Sequence, residues 1–412
     1  MGVRGPVVKT AVSPLYLDIT DAEIGKFQDT VGDILRSGRL VLGEHSARLE
    51  SQVADTGGCR HAVAMNSGTS ALEALFRFHG VEGKRVATPT NTNFATVAAI
   101  IRAGGTPVFL DMTPETFMPD RAMLEEAVGE GGIAGAVWVH IGGLIALDFF
   151  EIAEYCRDHG LFLIEVAAHA HGSVLGGRAA GTLADGGAYS FFATKVMTTC
   201  EGGMLTTDSD ECAELARSLR NQGKRGQAFG NDHRDMGNSW RITEFAAAMG
   251  LIMLEKLDAM VSRRSRAAAA FAATLDEIGV PYCRFDHMDA ASQYKLIVPC
   301  PEGETPRIKQ SLIEEGVQPG GGVYDKPCHL QPVFESVGER PRPLPNAERW
   351  CPNHVCPPLT SGMSNEDIER VCTGLRRAFG AAVAGELYPS NSAASTRCHG
   401  PIWRRVPSGG RS

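Results

Sequence analysis

Between Val63 and Thr207, short β-type runs (AVAM, RVATP, TPVFLDM, GAVWVHI, LFLIEV, GAYSFF and GMLTT) alternate with helix-length segments. No other feature of the chain restricts its fold as strongly. Strand–helix alternation predicts a mostly parallel sheet flanked by helices, because parallel neighbours need crossover connections, and those crossovers are expected to be right-handed. The connecting segments, such as SALEALFRFHG, NFATVAAIIRAGG and ALDFFEIAEYCRDHG, have helical periodicity and mostly end on glycine, the usual helix stop.

The flanking regions read differently. DAEIGKFQDTVGDILRSGRL and EHSARLESQVADTGG suggest two amphipathic helices around a turn at Gly43, packed outside the sheet. After Ile242 an Ala-rich helical stretch runs on too long for one unbroken globular helix, and it is expected to bridge two domains. From Val280 the pattern changes to a smaller α+β unit, with YKLIVP as a strand and RIKQSLIEEG and NEDIERVCTGLRRAFG as helices. The expected division is an N-terminal arm (1–15), a large α/β domain (16–255), a small C-terminal α+β domain (256–386) and a disordered tail (387–412) rich in Ser, Gly, Arg and Pro. A chain of 412 residues with 43% hydrophobic and 21% charged residues is long enough and apolar enough for this plan.

Composition also limits the partners. The net charge is −8 and no run of Lys or Arg is long enough to track a phosphate backbone, so nucleic acid is not an expected partner. No stretch has the length and apolarity of a signal peptide or a membrane span, so a soluble cytoplasmic protein is expected. Eleven cysteines without a C-x-x-C pair fit a reducing compartment rather than a disulfide framework. Cys351, His354 and Cys356 in a Pro-rich stretch read as packing residues, and no metal is expected.

Two words carry chemistry. In NSGTSALEAL a strand ends near Met65 and a helix begins near Ser70, so Ser67, Gly68 and Thr69 offer a tight turn, hydroxyls and free amides to a phosphate; the same word is also ordinary helix N-cap chemistry. In AYSFFATKVMTTCEGGMLTT a strand ends near Phe192, and Lys195 follows in a Thr-rich loop at the mouth of the sheet. A lysine there is either solvated or placed to form an imine with an aldehyde cofactor.

Taken in order, SGRLVLGE, NSGTSALEAL, GGTPVFLDM, AAHAHG, SFFATKVMTT-EGG, LRNQGKRG, GNSWRITEFAAAMGL and YDKPCHLQPVF make the chain similar to the DegT family of sugar aminotransferases, from about Leu17 to Gly380. These enzymes depend on pyridoxal phosphate (PLP). The resemblance implies the fold-type-I PLP architecture, a homodimer with shared active sites and a small-molecule substrate of keto-sugar or cyclitol type in natural-product biosynthesis. It makes Lys195 the Schiff-base lysine and places Gly68, Thr69 and Ser190 on the cofactor phosphate, with Ser67 beside them. His169 falls near the pyridine hydroxyl and Asn238 near the partner's phosphate. Arg241, Tyr324 and His329 become candidates for substrate recognition.

Three positions depart from the family's pattern. The acid that pairs with the pyridine nitrogen is replaced by Val166 in IEVAAHAHG. Losing a buried ion pair typically costs about 3–5 kcal/mol, and each ~1.4 kcal/mol is tenfold in rate, so proton abstraction is expected to slow by roughly two to four decades. Glu165 is adjacent, but successive strand residues face opposite sides, so it reaches the ring only if the strand slips by one residue. Asn93 stands where an aromatic ring usually stacks on the pyridine, with Phe94 next to it as a substitute through a local bulge. Cys200 replaces an expected glycine, either filling space or adding a thiol near Lys195. Three functions follow as alternatives: an impaired aminotransferase, an enzyme of the same fold with altered or PLP-independent chemistry, and a non-catalytic partner subunit of an active homologue.

Overall fold

The computed structural model describes residues 11–226, 232–334 and 343–380. The expected tail lies outside the described residues, as does most of the N-terminal arm. Helices α1 (Asp21–Ser37) and α2 (Glu44–Gly57) flank Gly43 as the periodicity predicts. Thr20 and Glu23 form a reciprocal capping box at the start of α1, and Gly38, with φ of 69°, ends it.

The seven expected β-runs all enter one sheet. Its strands are β1 (His61–Met65), β2 (Arg85–Pro89), β3 (Thr106–Leu110), β4 (Ile133–Val139), β5 (Phe162–Val166), β8 (Gly186–Ser190) and β9 (Gly203–Thr207), with a small hairpin of β6 (Val174–Leu175) and β7 (Arg178–Ala179) set apart from them. The order across the sheet is β1-β9-β8-β5-β4-β2-β3, and β9 is antiparallel to both of its neighbours while the remaining pairs are parallel. Helices α3 (Gly68–Phe78), α4 (Phe94–Arg102), α5 (Arg121–Gly129), α6 (Phe149–Asp158) and α7 (Asp210–Arg220) connect and cover it. Both faces are therefore buried, and β5 has no exposed residue.

The long Ala-rich stretch breaks at Lys256 into α8 (Glu244–Glu255) and α9 (Leu257–Glu277). Beyond it come α10 (Thr305–Glu314), α11 (Pro345–Trp350) and α12 (Asn365–Gly380), and α12 packs on α9 and α10. The YKLIVP strand expectation needs correction. Only Val298–Pro299 forms a strand, β10, paired with β11 (His354–Val355). Tyr294 and Lys295 instead run toward the sheet mouth, where the Lys295 amide donates to the carbonyl of Gly142. Among the described residues no helix is long and apolar enough to cross a membrane.

Candidate active site

The carboxyl ends of β1, β2, β4, β5 and β8 converge on one cavity of about 230 Å³, the position where open α/β sheets bind ligands. Ser67, Gly68, Thr69, Asn93, Val166, His169, Ser190, Lys195 and Tyr324 all line it, so nine of the predicted residues meet in one place.

At one end the cavity is polar. Ser67 caps α3: its hydroxyl accepts from the amide of Ser70 at 3.1 Å and its carbonyl accepts from that of Ala71. The amides of Gly68 and Thr69 are left without a partner among the described residues, and the α3 dipole adds positive potential there. Packing is tight here, and at Gly203 it requires glycine. A Cβ on Gly203 would lie 2.3 Å from the Ser67 carbonyl carbon, and one on Gly68 would lie 3.1 Å from Ser190 Cβ. These free amides, with Thr69 and Ser190 hydroxyls beside them, fit a phosphate monoester.

Lys195 stands on the loop after β8. Burial, and then the positive charge of Lys295, lower its pKa to about 8, so an appreciable share of the amine is neutral near physiological pH. His169 is buried, and its Nδ1 accepts the Gly142 amide at 3.3 Å, which assigns the proton of the neutral ring to Nε2, 3.4 Å from the Tyr324 hydroxyl. Burial, with Lys195 and Lys295 nearby, holds its pKa well below the usual value. The ring stacks on Tyr294 at a centroid distance of 4.3 Å. Tyr324 borders the cavity at a strained φ of 74°.

The other end is apolar, with Leu72, Val139, Val166 and Ala188 facing the space. Glu165 offers no rescue. The register of β4 and β5 is regular, pairing Val139 with Val166 and Trp138 with Glu165, so the strand has not slipped. The Glu165 carboxylate lies on the opposite face, fully buried, and accepts from His140 Nε2 at 2.8 Å and from the amides of Gly181, Leu183 and Ala184 at 2.7, 2.6 and 2.9 Å. Phe94 offers no rescue either: it is 48% exposed and stacks on Phe334 at 5.6 Å, because Asn93 serves as the N-cap of α4 and turns the chain there. Asn93 itself accepts from the Ala95 amide at 2.9 Å and lies against the Tyr324 hydroxyl.

Three predicted residues do not reach this cavity. His329 is buried with Nδ1 at 2.6 Å from Thr90 Oγ1 and Nε2 at 3.3 Å from Glu348, so neither ring nitrogen is free for a substrate. Arg241 bonds Asn221 at 3.1 Å and Ser239 at 2.6 Å and borders a separate apolar hollow. Asn238 accepts the Ser239 amide at 2.8 Å and lines neither the cavity nor that hollow. Cys200 also lines the hollow and adopts φ of 68°, the left-handed conformation that explains why glycine is expected there. Sequence reasoning missed Thr92 and Glu201 at the cavity wall, and missed Tyr294 under His169. Glu201 follows Cys200 in a word already singled out, whereas Tyr294 lies 99 positions from Lys195 and carries no motif.

A family model described as the DegT/DnrJ/EryC1/StrS aminotransferase family matches residues 21–376. The chain belongs to that family. Its relatives include the spore coat polysaccharide biosynthesis protein SpsC of Bacillus subtilis (strain 168), 32% identical over 369 residues, which cover 86% of this chain and 94% of SpsC. GDP-perosamine synthase of Caulobacter vibrioides is 36% identical over 242 residues, 58% of this chain and 64% of that protein. The aminotransferase TlmJ from Streptoalloteichus hindustanus superposes with a TM-score of 0.82 at 28% identity, over 90% of this chain and 99% of TlmJ. Structural neighbours of this DegT/DnrJ/EryC1/StrS chain are PLP-dependent sugar aminotransferases, and its mostly parallel seven-stranded sheet is the fold-type-I architecture.

Proposed function

We propose that this chain binds PLP at Lys195 and acts on a keto-sugar or cyclitol of natural-product biosynthesis, with amino transfer slowed by the apolar ring-nitrogen end of its cavity. When bound, the cofactor supplies an aldehyde that condenses with amines and a ring that takes up electron density from the substrate. The residues divide the remaining work. The α3 N-terminus, Thr69 and Ser190 hold the phosphate. Lys195 supplies the nucleophilic amine and carries the proton, which its lowered pKa of about 8 suits it to do near neutral pH. His169, with its proton on Nε2 and its plane fixed by Tyr294, would donate to the cofactor's ring hydroxyl. Val139, Val166 and Ala188 would keep water and charge from the cofactor's ring nitrogen. We further propose that two copies share their sites, with Asn238 and Arg241 directed to the partner.

The observation that carries this reading is the cage around Glu165. Its bonds to four donors keep it from replacing the missing acid, so Val166 determines the chemistry at that end. The same observation favours a second reading, an enzyme of this fold whose reaction does not draw on a protonated ring. Borohydride reduction of the protein with added PLP, followed by peptide mass mapping, tests the shared premise. The expected adduct is on Lys195, and its absence there would remove both PLP-based readings.

A further inference from the structure

A second cavity of about 600 Å³ opens from the first, sharing Asn93, His169, Phe192, Lys195 and Tyr324 with it. Its charge is one-sided. Lys195, Arg264 and Lys295 line it, and among the described residues the only carboxylate that does is Asp18. Asp18 is already neutralised: Lys256 lies 3.1 Å and Arg263 2.5 Å from its oxygens. Burial would raise its pKa, but bonds with Ser361, Arg263 and Lys256 outweigh that and keep it ionised.

Lys295 has no acidic partner among the described residues. Its ammonium lies against Gly320, where a Cβ would come within 2.6 Å of Nζ. Tyr294 separates the two lysines, its ring centroid 5.0 Å from Lys195 Nζ and 5.6 Å from Lys295 Nζ. Arg264 donates to the carbonyls of Ser292, Gln293 and Tyr294 at 3.1–3.2 Å, which holds this segment in place and adds positive charge behind it.

We propose that this second cavity seats a carboxylate-bearing substrate and that Lys295 is the specificity-determining cation that pairs with the carboxylate. Lys295, a cation with no acidic partner among the described residues, beside the neutral hydroxyls of Thr194, Tyr294 and Thr360, suits a single negative charge shared by two oxygens. The carboxylate belongs either to the amino donor or to an acidic sugar acceptor. This inference rests on the reading of Lys195 given above, since the carboxylate is placed beside the amine that reacts.

Calorimetric titration of the purified protein, with and without PLP, tests it with glucuronate and glutarate against the neutral counterparts glucose and glutaramide. A charged hydrogen bond predicts that one acid binds about 10- to 100-fold tighter than its counterpart, with a preference that weakens as salt is added. Lys295→Met removes the preference and Lys295→Arg keeps it; Lys295→Gln serves the first arm if the Met variant does not fold. Selectivity for glucuronate assigns the carboxylate to the acceptor, and selectivity for glutarate assigns it to the donor. No preference for either acid, or a preference that survives loss of the charge, overturns the proposal. Borohydride trapping is scored separately, so a missing adduct with intact acid selectivity counts against the cofactor reading alone.

Discussion

The two ends of the principal cavity contrast sharply. At one end the amides of Gly68 and Thr69 have no partner among the described residues, the hydroxyls of Thr69 and Ser190 lie beside them, and Gly203 meets the Ser67 backbone too closely for a Cβ. The other end, on the same strands and assigned to the ring nitrogen in the proposed function, is closed by Val139, Val166 and Ala188. On the proposed function, a cradle for the cofactor and the electronic control of that cofactor are thus separable. Holding a phosphate needs backbone geometry, which the fold supplies, whereas protonating a ring nitrogen needs one carboxylate at one position.

Restoring that carboxylate attacks the contrast most directly. Val166→Asp is expected to raise the rate of the half-reaction with glutamate by at least about tenfold, and up to the roughly two to four decades set by a buried ion pair. Stopped-flow absorbance of the cofactor measures it, and an unchanged rate would favour the reading in which the reaction does not draw on a protonated ring. On the opposite face of β5, Glu165→Gln is expected to lower stability by about 2–4 kcal/mol, since a buried carboxylate and its donors lose their match. The visible spectrum of the bound cofactor is expected to stay unchanged. Denaturant titration with the spectrum recorded in parallel separates these effects, and a spectral change would mean that Glu165 does reach the ring.

At the phosphate end, Ser190→Ala removes one hydrogen bond to an anion and is expected to weaken PLP binding about tenfold. Fluorescence titration reads that loss, and an unaltered dissociation constant would move the phosphate elsewhere. The smallest effect is expected from Lys295→Met. Burial contributes most to the lowered pKa of Lys195 and Lys295 contributes next, so removing its charge raises that pKa from about 8. Less neutral amine is then present at pH 7, and labelling of Lys195 by an amine-reactive reagent slows several-fold, as peptide mass mapping against pH would show.

Much of this arrangement was legible in the sequence because it is local. Strand–helix alternation predicted all seven sheet strands and places Ser67, Gly68, Thr69 and Lys195 just after strand ends, while Ser190 came from the family resemblance. The two-residue period of a strand also separated Val166 from Glu165 correctly. What stayed hidden depends on tertiary approach. Tyr294, Lys295 and Arg264 come to the cavity from segments with no motif, and YKLIVP looked like a strand because its apolar residues pack whether or not the backbone pairs. His329 sits in a motif-like word yet is held between Thr90 and Glu348, contacts no spacing rule anticipates. The expected domain boundaries remain a proposal.

The central claim concerns the protonation of one nitrogen. Binding PLP labelled with ¹⁵N in its ring to the wild-type protein and recording the ¹⁵N NMR shift measures it without turnover. A shift typical of neutral pyridine, moving to that of a pyridinium in Val166→Asp, is the predicted result. A pyridinium shift in the wild-type protein would contradict it.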